Sequence, residues 1–273
     1  MRPDIAGLET FYRSRRGLLA ARLIARRLRA FAPETGGLRV LGLGYPGPFL
    51  DAVAERAERV LAFMPAEQGS QRCRRRDGNV AAQVKETMLP LVDRSVDLVL
   101  LAHALEATDR ANRLLREVWR VLDDGGRLVA IVPNRRGIWC LAEATPFGHG
   151  RPYSSSQLQD LLRNNLFEPL RRERALHVPP FTSRLWLQTA PVWERVGERL
   201  TGQFSGVILI EAEKRTIAAT PVLAETAMRS QRVLSMPLRG AAARERTTDP
   251  AIAAMDEVRP TRPIAFTSRR RRS

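Results

Sequence analysis

The seven residues Val96-Asp97-Leu98-Val99-Leu100-Leu101-Ala102 do most to limit what this chain can become. Successive residues of a strand face opposite sides, so a strand that is apolar on both sides must be buried on both sides. That is the environment of a central strand in a parallel sheet wrapped by helices. The flanking sequence makes the same demand. Leu38 to Leu41 reads as a short first strand that stops at a glycine cluster, and Pro48 to Ala57 as a helix with Phe49, Leu50, Val53, Ala54 and Ala57 at helical spacing. Arg59 to Phe63 is a second strand, Asn79 to Val84 a third, and Val96 to Ala102 the fourth. Asp109 to Leu122 is a helix carrying Leu114, Leu115, Val118, Trp119 and Leu122 on one side; Gly125-Gly126 closes it, and Arg127 to Val132 is a fifth strand. Ser154-Ser155-Ser156-Gln157 is a capping box opening a helix whose core positions are Leu158, Leu161, Leu162 and Leu166. Leu170 to Val178 and Gly206 to Ala212 supply a sixth and a seventh strand. This alternation predicts an α/β protein with a doubly wound sheet and helices on both faces.

The 273 residues, 44% of them apolar, allow one sizeable core with extensions. Phe11 to Phe31 reads as a single basic helix, seven arginines surrounding a stripe of Leu18, Leu19, Leu23, Ile24 and Leu28. Residues 1–36 are therefore expected to be a basic helical extension and 37–214 the main domain, with a helical insertion at about 179–203 carrying Trp186 and Trp193. Residues 215–273, rich in Arg and Ala and ending in Arg269-Arg270-Arg271-Arg272, are expected to be a disordered tail. The net charge of +16 implies weak, nonspecific attraction to anionic membranes or nucleic acid, and the sequence leaves the oligomeric state open. Cys73 and Cys140, far apart, fit a reducing cytoplasm, and no signal peptide is evident at Met1. The cysteines and three histidines have no metal-ligand spacing, so no metal is expected.

Chemistry enters at Gly42-Leu43-Gly44-Tyr45-Pro46-Gly47, a G-x-G-x-x-G run between a strand and a helix. Glycines there permit a tight turn and a close approach of ligand to backbone, though a ligand-free turn uses glycine as well. Four further segments are specific. Leu89-Pro90-Leu91-Val92-Asp93-Arg94-Ser95-Val96-Asp97-Leu98-Val99 leads into the fourth strand; His103-Ala104-Leu105-Glu106 follows it; Leu115-Arg116-Glu117-Val118-Trp119-Arg120-Val121-Leu122-Asp123-Asp124-Gly125-Gly126 precedes the fifth; Pro152-Tyr153-Ser154 to Phe167 comes after. In order and spacing they resemble the motifs of class I S-adenosylmethionine-dependent methyltransferases of the type 11 methyltransferase-domain family. The resemblance implies a Rossmann-like, seven-stranded sheet with the last strand antiparallel, and S-adenosyl-L-methionine as cofactor. It assigns cofactor contacts to Gly42, Leu43, Gly44, Tyr45 and Gly47, with Glu67 and Glu86 as the acids for the ribose and adenine. The chain departs from the family pattern in two places: Leu41 and Leu43 stand where the first motif carries an acid, and Glu67 comes several residues past the end of the second strand.

Methyl transfer from a sulfonium depends mainly on alignment, with a base needed only where the acceptor loses a proton. His103, beyond the fourth strand, and His149 and Tyr153, after the fifth, lie toward the carboxyl ends of the strands, where open α/β sheets bind ligands. They are the acid/base or orienting candidates; Arg135, Arg136 and Arg151 are candidates to hold an anionic substrate. The expected reaction is methyl transfer to a small molecule. Two other functions stay open: a catalytically degenerate scaffold or regulator, which the displaced acids favour, and nucleic-acid or membrane association through the basic extensions.

Overall fold

The computed structural model describes residues 4–31, 36–69, 72–75, 78–180 and 204–216. The expected insertion from 181 and the Arg-rich tail beyond 216 lie outside the described residues. The main sheet has seven strands: β1 Arg39–Gly44, β2 Arg59–Pro65, β3 Ala81–Val84, β4 Val96–Ala102, β5 Leu122–Pro133, β6 Phe167–Ala175 and β7 Val207–Lys214. They lie in the order β3-β2-β1-β4-β5-β7-β6. The first five are mutually parallel. β7 runs antiparallel between β5 and β6, pairing Ile131 with Leu209 and Arg172 with Ile210. This is the Rossmann-like sheet expected from the sequence, last strand included.

The period of two in β4 divides the core. Leu98, Leu100 and Ala102 face one side with Val40, Val129, Ile131 and Leu209. Val99 and Leu101 face the other with Leu41, Leu43, Leu128 and Ile210. The first face is covered by α1 (Ile5–Arg13), α2 (Arg15–Leu28) and the single-turn α3 (Leu50–Val53); the second by α4 (Ala111–Val121) and α5 (Ser155–Asn164). In α4, Leu114, Leu115, Val118 and Val121 are all fully buried, an apolar stripe at helical spacing.

Several sequence expectations change in detail. The basic segment forms two helices, because Ser14 interrupts it. The Ser14 hydroxyl donates to the Phe11 carbonyl at 2.6 Å and accepts the Gly17 N–H at 3.0 Å, ending one helix and capping the next. α2 packs Leu23, Ile24 and Leu28 into the core and leaves Leu18 exposed. The helix expected over 48–57 shrinks to Leu50–Val53, since the following backbone turns back to bond the chain ahead of β1, Gly37 N–H to the Arg56 carbonyl and Glu58 N–H to the Leu38 carbonyl. Asn79 belongs to a separate two-residue ladder with Arg74, and β3 begins at Ala81. Gly125 and Gly126 lie within β5, whose pairing with β4 is irregular between Val96 and Leu98. β6 starts three residues earlier than expected; Pro169 falls at a register shift on this edge strand, where a missing N–H is tolerated. The Ser154 capping box is present in full, with Gln157 as its partner.

Candidate active site

The carboxyl ends of β1 to β4 carry two adjoining structures of opposite character. Over β1 and β4 the chain is closed by aromatic packing. Gly44 turns at φ +95°, and a Cβ there would run into the Ala102 carbonyl oxygen at the end of β4. Tyr45 N–H donates to that same oxygen at 2.7 Å. A Cβ on Gly42 would lie 2.5 Å from Pro46, whereas Gly47 faces open space. The first two glycines are thus required by the chain's own packing. Above them the Tyr12 ring stacks on Tyr45, centroids 5.7 Å apart, and meets Phe11 and Phe49 edge-on. Phe147 packs against His103 and Trp139.

One polar chain runs through this apolar cluster. The Tyr12 hydroxyl lies 2.7 Å from His103 Nε2, and His103 Nδ1 lies 3.1 Å from Glu106 Oε1. With Glu106 as a carboxylate and the imidazole neutral, Nδ1 carries the proton and Nε2 accepts from the phenol. Burial, and then the nearby Glu106, push the Tyr12 phenol well above its ordinary pKa, keeping it a donor. His103 adopts a left-handed backbone, φ +52°, which turns its ring back under α1. The other carboxylate oxygen, Glu106 Oε2, is buried and has no hydrogen-bond partner. Leaving such a group unsatisfied costs about 1–3 kcal/mol or more for a charged one.

Beside this cluster, over β2, β3 and β4, lies an open cleft of about 720 Å³. Its wall includes Glu67, Lys85, Glu86, Glu106, Thr108 and Arg151. The volume suits a ligand of cofactor size. Thr108 donates to Glu86 Oε1 at 2.5 Å and accepts the Arg110 N–H at 3.0 Å, which fixes Glu86 against the post-β4 turn. Arg151 closes one end, its guanidinium 3.1 Å from Asp109 and its backbone N–H on the Glu106 carbonyl. Gly150, at φ +77°, passes so close to the Glu106 carbonyl that no side chain fits there.

The sequence-predicted residues therefore separate. Glu67 and Glu86 share the cleft wall; Gly42, Leu43, Gly44, Tyr45 and Gly47 are not part of it. Leu43 is fully buried in the core beneath the sheet. His103 is enclosed with Tyr12 and Glu106. His149 is half-buried just before Gly150, and the Tyr153 hydroxyl donates to the Leu105 carbonyl at 3.2 Å. Burial raises the Tyr153 pKa, with Glu106 adding to the effect, so this phenol is also a donor. Arg135 and Arg136 are exposed and outside the cleft wall. The sequence reading did not single out Tyr12 or, as a site residue, Glu106. The available signals were an aromatic pair within an arginine-rich segment and a glutamate three residues after His103.

A doubly wound sheet of this order, with a ligand-sized cleft at its carboxyl edge, defines a class I methyltransferase-type fold. Residues 40–130 match the family described as "Methyltransferase domain". Within that span the chain is similar to this family. It is 29% identical over 198 residues to an uncharacterized protein of Mycobacterium tuberculosis, the match covering 68% of this chain and 66% of that relative. Among solved structures it resembles a SAM-dependent methyltransferase of Thermotoga maritima, with TM-score 0.56 and 19% identity over 77% of this chain and 96% of the other. It also resembles a SAM-dependent methyltransferase of Archaeoglobus fulgidus, with TM-score 0.51 and 21% identity over 77% of this chain and 100% of the other. The likeness to these structures is one of fold, and the cofactor that the sequence resemblance implies is S-adenosylmethionine. Among the described residues, no helix is long and apolar enough to cross a membrane.

The residues present fit that cofactor in one region and not in the other. The cleft offers three carboxylates, one with an orphaned buried oxygen, to a ligand rich in hydroxyl and ammonium donors. At the glycine turn, among the described residues, Pro46 packs on Gly42 and the Tyr12 ring stacks on Tyr45, in place of an open wall.

Proposed function

We propose that this chain transfers a methyl group from S-adenosylmethionine to a small-molecule acceptor. The observation that supports this reading is the cleft of about 720 Å³ bordered by Glu67, Glu86 and Glu106 at the carboxyl ends of β2 to β4. Glu67 and Glu86 would accept hydrogen bonds from the adenosine portion. When bound, the cofactor supplies an electrophilic methyl on a sulfonium, and the protein's task is to align an acceptor with it. His149 and Tyr153 stand on the loop that borders the cleft through Gly150 and Arg151, and are the groups proposed to orient an acceptor or move its proton. His103 is proposed to work from beneath, through Glu106. Arg151 and Lys85 make an anionic acceptor suitable.

A second reading is favoured by the closed glycine turn: a methyltransferase-like scaffold that holds no cofactor. Calorimetric titration of S-adenosylmethionine and S-adenosylhomocysteine separates the two. The first reading expects micromolar binding that weakens about tenfold or more in Glu67→Gln/Glu86→Gln, since each charge-assisted hydrogen bond contributes about 1.5–3 kcal/mol. Absence of binding up to millimolar ligand by a folded sample selects the scaffold.

A further inference from the structure

We propose that Glu106 is the residue that captures a hydrogen-bond donor of the bound cofactor, and that Tyr12 and His103 are positioning residues that aim it. The assignment rests on the S-adenosylmethionine reading above. Three observations carry it. Glu106 belongs to the wall of the open cleft, and its side chain is 2% exposed. Its Oε1 is taken by His103 Nδ1 at 3.1 Å, and its Oε2 has no partner. Its backbone is held from the other side by the Arg151 N–H and by the close approach of Gly150. A buried carboxylate oriented through one oxygen and orphaned at the other is an incomplete hydrogen-bond set, and buried polar groups are ordinarily complete.

The relay explains the side-chain choices. Tyr12 donates to Nε2, which obliges Nδ1 to hold the proton that fixes Glu106 Oε1. The free oxygen is thereby aimed by α1, a helix that lies outside the family-matched span of residues 40–130. The ligand group it accepts is a donor on a nucleoside cofactor, either a ribose hydroxyl or the ammonium of the methionine end.

The test is calorimetric titration of S-adenosylhomocysteine and of 5′-methylthioadenosine, which keeps the ribose and lacks the ammonium. Wild type, Glu106→Gln, Tyr12→Phe and the double variant are compared, each with its thermal unfolding curve. Glu106→Gln is expected to weaken S-adenosylhomocysteine binding about ten- to one-hundred-fold, the value of one charge-assisted hydrogen bond. Its unfolding midpoint is expected not to fall, because the lost oxygen had no partner. A loss shared by both ligands assigns the donor to the ribose; a loss confined to S-adenosylhomocysteine assigns it to the ammonium. Tyr12→Phe is expected to weaken binding severalfold in the wild-type background and to have no effect in the Glu106→Gln background, a coupling that a merely structural tyrosine would not show. Equal binding by wild type and Glu106→Gln overturns the assignment alone. A wild type that binds neither ligand overturns the proposed function and the assignment together.

Discussion

The two ends of the parallel strands differ in how they treat charge. At the amino end the buried or half-buried charges are met by the chain itself. Asp97, at the start of β4, accepts the Arg39 backbone N–H at 2.7 Å and two guanidinium N–H groups at 3.0 and 2.6 Å, and Arg39 also reaches Asp123. Arg120 at the end of α4 donates to Glu117, Asp93 and the carbonyls of Leu89 and Leu91. Lys214, almost wholly buried, donates to the Leu122 carbonyl at 2.7 Å and lies over the Trp119 ring. At the carboxyl end, carboxylates line an open cleft and one buried oxygen is left without a donor. Paired charge at the amino end fixes strand register, whereas the incompletely paired Glu106 at the carboxyl end is what a ligand can complete. Changes at the first end should therefore cost stability, and polar changes at the second should cost binding.

The largest expected effect tests the exception to that rule, the glycine turn. Gly44→Ala puts a Cβ against the Ala102 carbonyl at a left-handed φ and is expected to destabilise by about 3 kcal/mol or more. Gly47→Ala meets nothing and is expected to stay within about 0.5 kcal/mol. Chemical denaturation measures both, and equal costs would contradict the view that packing, not ligand approach, fixes the first glycines. Next is Asp97→Ala, expected to cost about 2 kcal/mol at neutral pH. Hydrogen bonds from Arg39 hold the Asp97 carboxyl below the usual carboxylate range. Its contribution is therefore present above the unfolded value of about 3.9 and is lost as pH falls through the lower folded value. The stability gap between wild type and variant should stay constant from about pH 7 to about pH 5 and narrow toward about pH 2. A gap that widened on acidification would show the pair to be misassigned. Ser154→Ala removes the α5 cap and is expected to cost about 1 kcal/mol by the same measurement. Thr108→Val, at the carboxyl end, should move stability by less than about 1 kcal/mol while weakening cofactor binding about threefold through loosened Glu86. A larger stability loss than that of Asp97→Ala would erase the contrast between the ends.

The fold was legible because burial on both faces of β4 leaves few alternatives, and because Ser154 with Gln157 and the stripe of α4 are local signals. Boundaries failed where local caps and tertiary bonds decided them: Ser14 starts a new helix inside the expected Phe11–Phe31 helix, and the Arg56 carbonyl, within the expected 48–57 helix, accepts the Gly37 N–H. The site was legible only in part. Glu67 and Glu86 were drawn from the acids nearest the family's positions, and the structure places both on one wall. The Tyr12–His103–Glu106 relay joins residues up to 94 apart in number, and no local pattern announces a contact of that range. The glycine fingerprint is ambiguous for a physical reason: a turn that packs on β4 and a turn that cradles a ligand both exclude Cβ atoms.

The central claim, that the carboxylate cleft and not the glycine turn anchors the cofactor, is tested most directly by a crystal structure with S-adenosylhomocysteine. The account predicts adenosine density beside Glu67 and Glu86, with a ligand donor within hydrogen-bond distance of Glu106 Oε2 and Tyr12 still on His103. Ligand lying over Gly42 to Gly47, with Tyr12 displaced and Glu106 Oε2 still unpartnered, would contradict it.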